Sequence, residues 1–446
     1  VSADVTTIKT AAETALAQEF AQARANLPGD KAVAAQREAA FDVFAKSGLP
    51  HRRVEEWKYT DLRALMRDAK PLAPLPDAAA KALGKKAGAL AGDLEARRLV
   101  FVDGAFVPEL SDTAKLEEGL SVGSLADALF AGDDPTVMEH LGKLAPVDDA
   151  AVALNTALMG DGAVIRVAAG SVIKRPLHLV FVSSEKPTAR FARSLLVIEP
   201  RARAMLIESH EGPAGSDYQV NAALELFAGD GSHVDYVKLI AEGADALHVS
   251  TLAAAIGGKA RFNAFTFTIG GSVVRNQLFL RFDGEDTVAG IRGATLIRGH
   301  QHADTTLVAN HIAEGCQSRE VFKAVLDDEA HSVFQGRIIV SPGAQKTDAK
   351  MMTRALLLSE RAEADSKPEL EIFADDVQCG HGATAGALDD ELKFYLMARG
   401  IPEPEAEALL IQAFLGEAIE GIEDAGLRES LMEAVAAWLK ARGAKQ

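Results

Sequence analysis

A long β-rich middle between helical ends is the fold class this chain predicts. From about Ala151 to Asp376, short β-leaning runs recur between glycine turns, and no long amphipathic helix interrupts them. The segments on either side carry apolar residues at helical spacing instead. The pattern argues against a doubly wound sheet, which needs a helix after nearly every strand. The middle therefore suits a β-solenoid or a large sandwich, and with no fixed repeat length in view, periodicity alone chooses neither.

In chain order, Thr10 to Ala25 is rich in Ala, Glu and Gln, and Lys31 to Lys46 places Ala40, Phe41 and Phe44 on one face, so both read as helices. Gly48 and Pro50 stop the second. The charged and aromatic segment Arg52 to Leu62 follows, with no catalytic spacing. Pro71, Pro74 and Pro76 mark a surface connection, and Arg98 to Gly104 is a short strand ending in a turn. The β runs include Ser194 to Ile198, Ala204 to Ile207, Val234 to Ile240, Phe262 to Ile269, Gln277 to Phe282 and Gly336 to Val340. Turns fall at Gly229-Asp230-Gly231, Gly257-Gly258, Gly270-Gly271 and Asp283-Gly284. Beyond Gly386, Asp389-Asp390 caps a helix with Leu392, Tyr395, Leu396 and Arg399 on one side, closed by Gly400. Pro402 and Pro404 begin a helix bearing Leu409, Leu410, Ala413 and Phe414, and a last one carries Leu427, Leu431, Val435 and Trp438.

The 446 residues suffice for two or three regions around a large core. Asp and Glu total 64 against 47 Lys and Arg, a net charge of -17 with no basic stripe, which argues against nucleic acid as a partner. No signal-peptide core or membrane-length apolar run is visible, so a soluble cytoplasmic protein is expected. The chain opens on Val1 rather than Met, so absent or processed leading residues are also expected. Nucleotide binding finds no support: Gly229-x-Gly231 is followed by Val234 where a third glycine belongs, and Gly84-Lys85 lacks a following Ser or Thr. Gly-x-Ser-x-Gly and His-Glu-x-x-His are absent too.

Two clusters have metal-binding chemistry. Cys379-Gly380-His381 joins one of only two cysteines to an imidazole two positions on. If the run Glu371-Ile372-Phe373 continues as a strand, both groups share a face. Iron-sulfur clusters and structural zinc want about four ligands, so such a pair is half of a shared site or no metal site at all. The second cluster is His300-Gln301-His302 with His311 and Cys316. On a strand His300 and His302 face the same way, and with Asp304 they suggest a metal-dependent barrel enzyme. Histidines hydrogen-bonded between turns, and a small buried Cys316, are the competing reading.

Several segments, taken in order, carry a family resemblance. Ala344 to Thr347, Leu356 to Ser359, Pro368 to Ile372, Asp375 to Thr384 and Phe394 to Leu396 with Arg399-Gly400 together resemble the SufB/SufD family of SUF iron-sulfur cluster assembly scaffolds. Gly48 to Leu62, with Glu56-Trp57-Lys58-Tyr59-Thr60, and the low cysteine count resemble its SufD branch. The resemblance implies a right-handed parallel β-helix core (151–384) between an N-terminal mainly helical region (1–150) and a C-terminal helical domain (385–446). It further implies a non-catalytic scaffold that pairs with the paralogue SufB and docks the ATPase SufC through its helical tail. A transient iron-sulfur cluster would be shared with SufB at the interface, with Cys379 and His381 as ligand or interface candidates. No metal is expected on the isolated chain, a homodimer is plausible without SufB, and flavin binding is left open. A purely structural partner of SufB would need neither Cys379 nor His381.

Overall fold

The computed structural model describes residues 9–443, and they form a parallel β-solenoid flanked by helices at both ends. From Ala163–Val167 onward, successive strands alternate between a nine-stranded and a ten-stranded sheet. Apart from antiparallel pairings at the first coils, between Arg97–Val102 and Ala105–Phe106 and between Leu120–Ser124 and Ala163–Val167, the ladders among the described residues are parallel. Strands buried on both faces read as near-continuous apolar runs. In Leu247–Ile256, for example, every residue is buried.

The repeat escapes a fixed-period search because its length varies. Gln219 pairs with Leu247, Leu247 with Val273, Val273 with His302 and His331 with Glu363, offsets of 28, 26, 29 and 32 residues. The turns absorb the difference while the register inside the sheets is kept. Turns also stack on one another: a Cβ at Gly284 would lie 1.9 Å from the backbone N of Gly258, so glycine is demanded where one coil's turn crosses the next.

Three apolar layers hold the molecule. The lumen between the sheets is filled by residues such as Leu206, Tyr236, Phe262, Phe282 and Ile338. The N-terminal helices Ala11–Ala23 and Lys31–Ser47, with Ala150–Leu158, cover the outer face of the nine-stranded sheet through Leu16, Phe44 and Leu154 against Phe191, Val249 and Val273. Helices Glu403–Ile419 and Ala425–Gly443 cover the ten-stranded sheet. The last helix buries Leu427, Leu431, Val435 and Trp438, as its spacing predicts. The preceding one differs: its buried stripe is Ala406, Ile411, Leu415, Ala418 and Ile419, while Leu409 points to solvent. The sheet beneath, with Lys323 bonding Glu417 under the Phe414 ring, selects the face, and local apolar content does not.

The segment Glu55 to Thr60 fastens the N-terminal region to the solenoid. Trp57 is buried; its indole N–H donates to Asp149 Oδ2 at 3.1 Å, and the Arg275 guanidinium lies 4.1 Å from its ring centroid. Arg275 and Gln335 both donate to the Glu56 carbonyl, at 2.7 and 3.1 Å, and Thr60 bonds Asp304.

Candidate functional site

Among the described residues, none caps the end of the solenoid. Its last coils are Glu363–Ile372, at the edge of the nine-stranded sheet, and Gln378–Gly386, at the edge of the ten-stranded one, and neither strand contains a buried residue. The run Glu371-Ile372-Phe373 therefore does not continue to Cys379. It stops at Ile372, and the chain crosses to the other sheet before pairing resumes at Gln378.

The two edges differ in character. Glu363–Ile372 carries Glu363, Asp365, Lys367, Glu369 and Glu371 with Pro368, the charges and missing donor that keep an edge strand unpaired. Gln378–Gly386 carries small residues and no Asp, Glu, Lys, Arg or Pro. Its outer N–H and C=O groups are thus an open template for another strand.

Cys379 and His381 do share a face of this strand. Cys379 pairs with Ala349 and His381 with Met351, both buried in the lumen, so the two side chains continue the inward-facing stacks at the open mouth. Cys379 packs partly buried against the lumen core, whereas His381 is exposed. Burial pushes the Cys379 thiol pKa up, and the carboxylates of Asp348 and Glu320 add to the shift. At neutral pH it is a thiol, and metal binding must displace its proton.

Glu320, which the sequence reading did not single out, lies deeper along the same stack, where Glu320, Met351 and His381 are in register. It is fully buried, neither carboxylate oxygen has a hydrogen-bond partner of good geometry among the described residues, and burial, opposed in part by the nearby Ser318 hydroxyl, raises its pKa to about 7. The signal was available: Ser318, Glu320 and Phe322 are the inward positions of Gln317–Leu326, and a glutamate there stands out once the strand's parity is known.

The second histidine cluster is not assembled as its spacing suggests. The strand begins at His302, so His300 sits in the preceding turn, 84% exposed beside Glu329 at 3.3 Å. His302 instead meets His331 across the ladder, Nδ1 to Nδ1 at 3.2 Å, and Thr60 at 2.9 Å; His331 reaches Asp365 at 2.8 Å. His302 is mostly buried, which lowers its pKa to about 4, and Asp304 is held by Arg275 and Thr60. This relay supports the docking of Glu55 to Thr60. His311 is buried against Phe282 and bonds Ser318 at 3.1 Å, while the buried Cys316 thiol donates to the Gly284 carbonyl at 3.3 Å. His300, His302, His311 and Cys316 thus lie in separate environments.

Next to the open mouth, helix Asp390–Ala398 starts on its Asp389 cap but buries nothing. Leu392, Phe394 and Tyr395 are 52%, 72% and 53% exposed. The apolar side that its spacing predicts exists and lies uncovered.

The parallel β-solenoid thus ends on a strand that carries a thiol and an imidazole on one face. Residues 180–414 match the family described as SUF system FeS cluster assembly, SufBD core domain, and residues 10–179 match the SufBD protein N-terminal region. The chain is 32% identical over 421 residues to an iron-sulfur cluster assembly SufBD family protein of Synechocystis, covering 91% of each chain. It is 31% identical over 408 residues to the iron-sulfur cluster assembly protein SufD of Escherichia coli (89% of this chain, 91% of that one). With SufD of Bacillus subtilis the identity is 28% over 400 residues, 86% and 88% of the two chains. The chain belongs to the SufB/SufD family and to SUF iron-sulfur cluster assembly, and its likeness to the two SufD proteins accords with the SufD character of Gly48 to Leu62. Among the described residues no helix is long and apolar enough to cross a membrane.

Proposed function

We propose that this chain is a non-catalytic cytoplasmic scaffold subunit of the SUF complex, pairing through the open end of its solenoid with SufB and docking SufC through its C-terminal helices. A nascent iron-sulfur cluster, the cargo of the complex, would form where the two solenoids meet. His381 is the ligand contributed from this side, Cys379 stands beside it, and SufB supplies the remaining thiolates. The observation that carries the reading is the uncharged, unpaired edge Gln378–Gly386 with both groups on its inward face. Strand addition there would close the lumen and bring a partner's ligands to the mouth, satisfying an edge that is otherwise open.

The uncovered side of Asp390–Ala398 follows directly on that edge and is the surface proposed for SufC. ATP-driven movement of SufC would then pull on the segment immediately after the cluster ligands. Hydrogen exchange on the full chain with and without SufB tests the pairing. Residues 378–386 are expected to gain strong protection, with the interior strand Arg203–Glu211 unchanged. Equal exchange of 378–386 in both states would contradict end-on pairing.

A further inference from the structure

Far from the open mouth, the lumen holds a second group of metal-competent side chains. His210, Glu242 and His248 are all buried, and each offers one ligand atom within 4.8 Å of the others. They come from the coils formed by Arg203–Glu211, His233–Ala241 and Leu247–Ile256. Along the ten-stranded sheet, His233–Ala241 is five strand steps from Gln378–Gly386, roughly 24 Å at the spacing of paired strands.

The surroundings are those of a built site. His248 Nδ1 lies 2.9 Å from Glu242 Oε1, and the ring's other nitrogen, Nε2, is buried without a hydrogen-bond partner among the described residues. His210 Nε2 is held by Glu208 at 2.6 Å, and Tyr218 donates to Glu242 Oε2 at 2.6 Å. A carboxylate that orients an imidazole and a hydroxyl that orients a carboxylate are the supports metal ligands usually have. Glu208 is itself fixed by Tyr236 at 2.7 Å and lies 3.6 Å from the Lys238 ammonium, so that cation belongs to Glu208 and leaves Glu242 free to face the histidines. With both imidazoles neutral, as metal ligands are, the formal charges of Glu208, Glu242 and Lys238 sum to one negative charge in the lumen, which a bound cation would offset. A void of about 20 Å³ borders His210 and Glu242 but not His248, with Arg190, which is paired to Asp103, on its far wall, and a space of that size holds one water.

We propose that His210, Glu242 and His248 bind a divalent transition metal, zinc(II) or iron(II), with the water-sized void supplying a fourth ligand. Two imidazoles and one carboxylate suit these ions. Metal–ligand bonds of about 2.0–2.2 Å draw the three atoms closer than they stand here, a matter of side-chain rotation in a site already lined by a void. The metal would cross-link neighbouring coils of the lumen and is distinct from the cluster at the mouth.

Cobalt(II) titration of the chelator-treated full chain, followed by visible absorption, tests the proposal. The wild-type chain and a Cys379→Ser, His381→Ala double variant are both expected to take up a single cobalt ion with the bands of a four-coordinate site, and zinc should displace it. Glu242→Gln should abolish uptake. Tyr218→Phe, a milder change that keeps the ring, should weaken it about tenfold or more. No cobalt uptake by the wild-type chain would overturn the proposal, as would uptake unaffected by Tyr218→Phe or lost in the double variant. If Glu242→Gln does not fold, the wild-type titration and Tyr218→Phe still decide.

Discussion

Replacing Trp57 with alanine is expected to destabilise the chain by about 3–5 kcal/mol, the range for removing a fully buried tryptophan. The side chain is 1% exposed, so the loss includes both transfer energy and the cavity left behind. Two polar groups suffer as well. Asp149 caps helix Ala150–Leu158 with Oδ1 and loses the indole donor on Oδ2, and Arg275 loses the ring beneath its guanidinium. The damage should be local at first, because the Glu55 to Thr60 segment fastens the N-terminal region to the nine-stranded sheet alongside the direct contacts of its helices. Urea unfolding checks the magnitude, and limited proteolysis checks the place, with early cuts expected between residues 47 and 77. A loss below about 1 kcal/mol would mean that the helical contacts alone hold the region.

Glu320→Gln is expected to stabilise the chain at pH 8 by about 3 kcal/mol and to change little at pH 4.5, an order-of-magnitude figure from the shift in pKa. The sign follows from burial. The folded carboxyl titrates near 7, above its unfolded value, so the folded state binds the extra proton between about pH 4.5 and 7. Wild-type stability therefore falls as pH rises through that window, while glutamine does not titrate. Parallel denaturant curves for the two proteins at the two pH values isolate the term, since other groups cancel. Equal differences at both pH values would refute it. The variant also bears on the site: Glu320 raises the Cys379 pKa, so its neutral replacement should make the thiol easier to deprotonate for a metal.

Helices flanking a β region were legible because apolar spacing and caps are local. Thr10 caps Ala11–Ala23 with a full capping box, and Asp389 caps Asp390–Ala398. The solenoid was legible only through family resemblance, because the coil length drifts from 26 to 32 residues and hides in the turns. Cys379 and His381 could be picked out by composition. Their placement could not: a strand's face is set by its partner's register, and only pairing with Ala349 and Met351 turns both side chains to the lumen. The same reason kept Glu320 and the group His210, Glu242, His248 out of sight, since residues from different coils meet only once the lumen closes. Trp57 was visible as part of a motif, but its anchoring role depends on Arg275, far along the chain.

The scaffold reading and the purely structural one differ in one respect: whether the open mouth contributes a ligand. Anaerobic cluster reconstitution, read by visible absorption and iron and sulfide content, should be run on this chain alone, on the complex with SufB and SufC, and on the same complex with His381→Ala. The account predicts cluster in the wild-type complex, none on the isolated chain, and a large loss with His381→Ala while the complex still assembles. An intact His381→Ala complex that holds as much cluster as the wild type would contradict it.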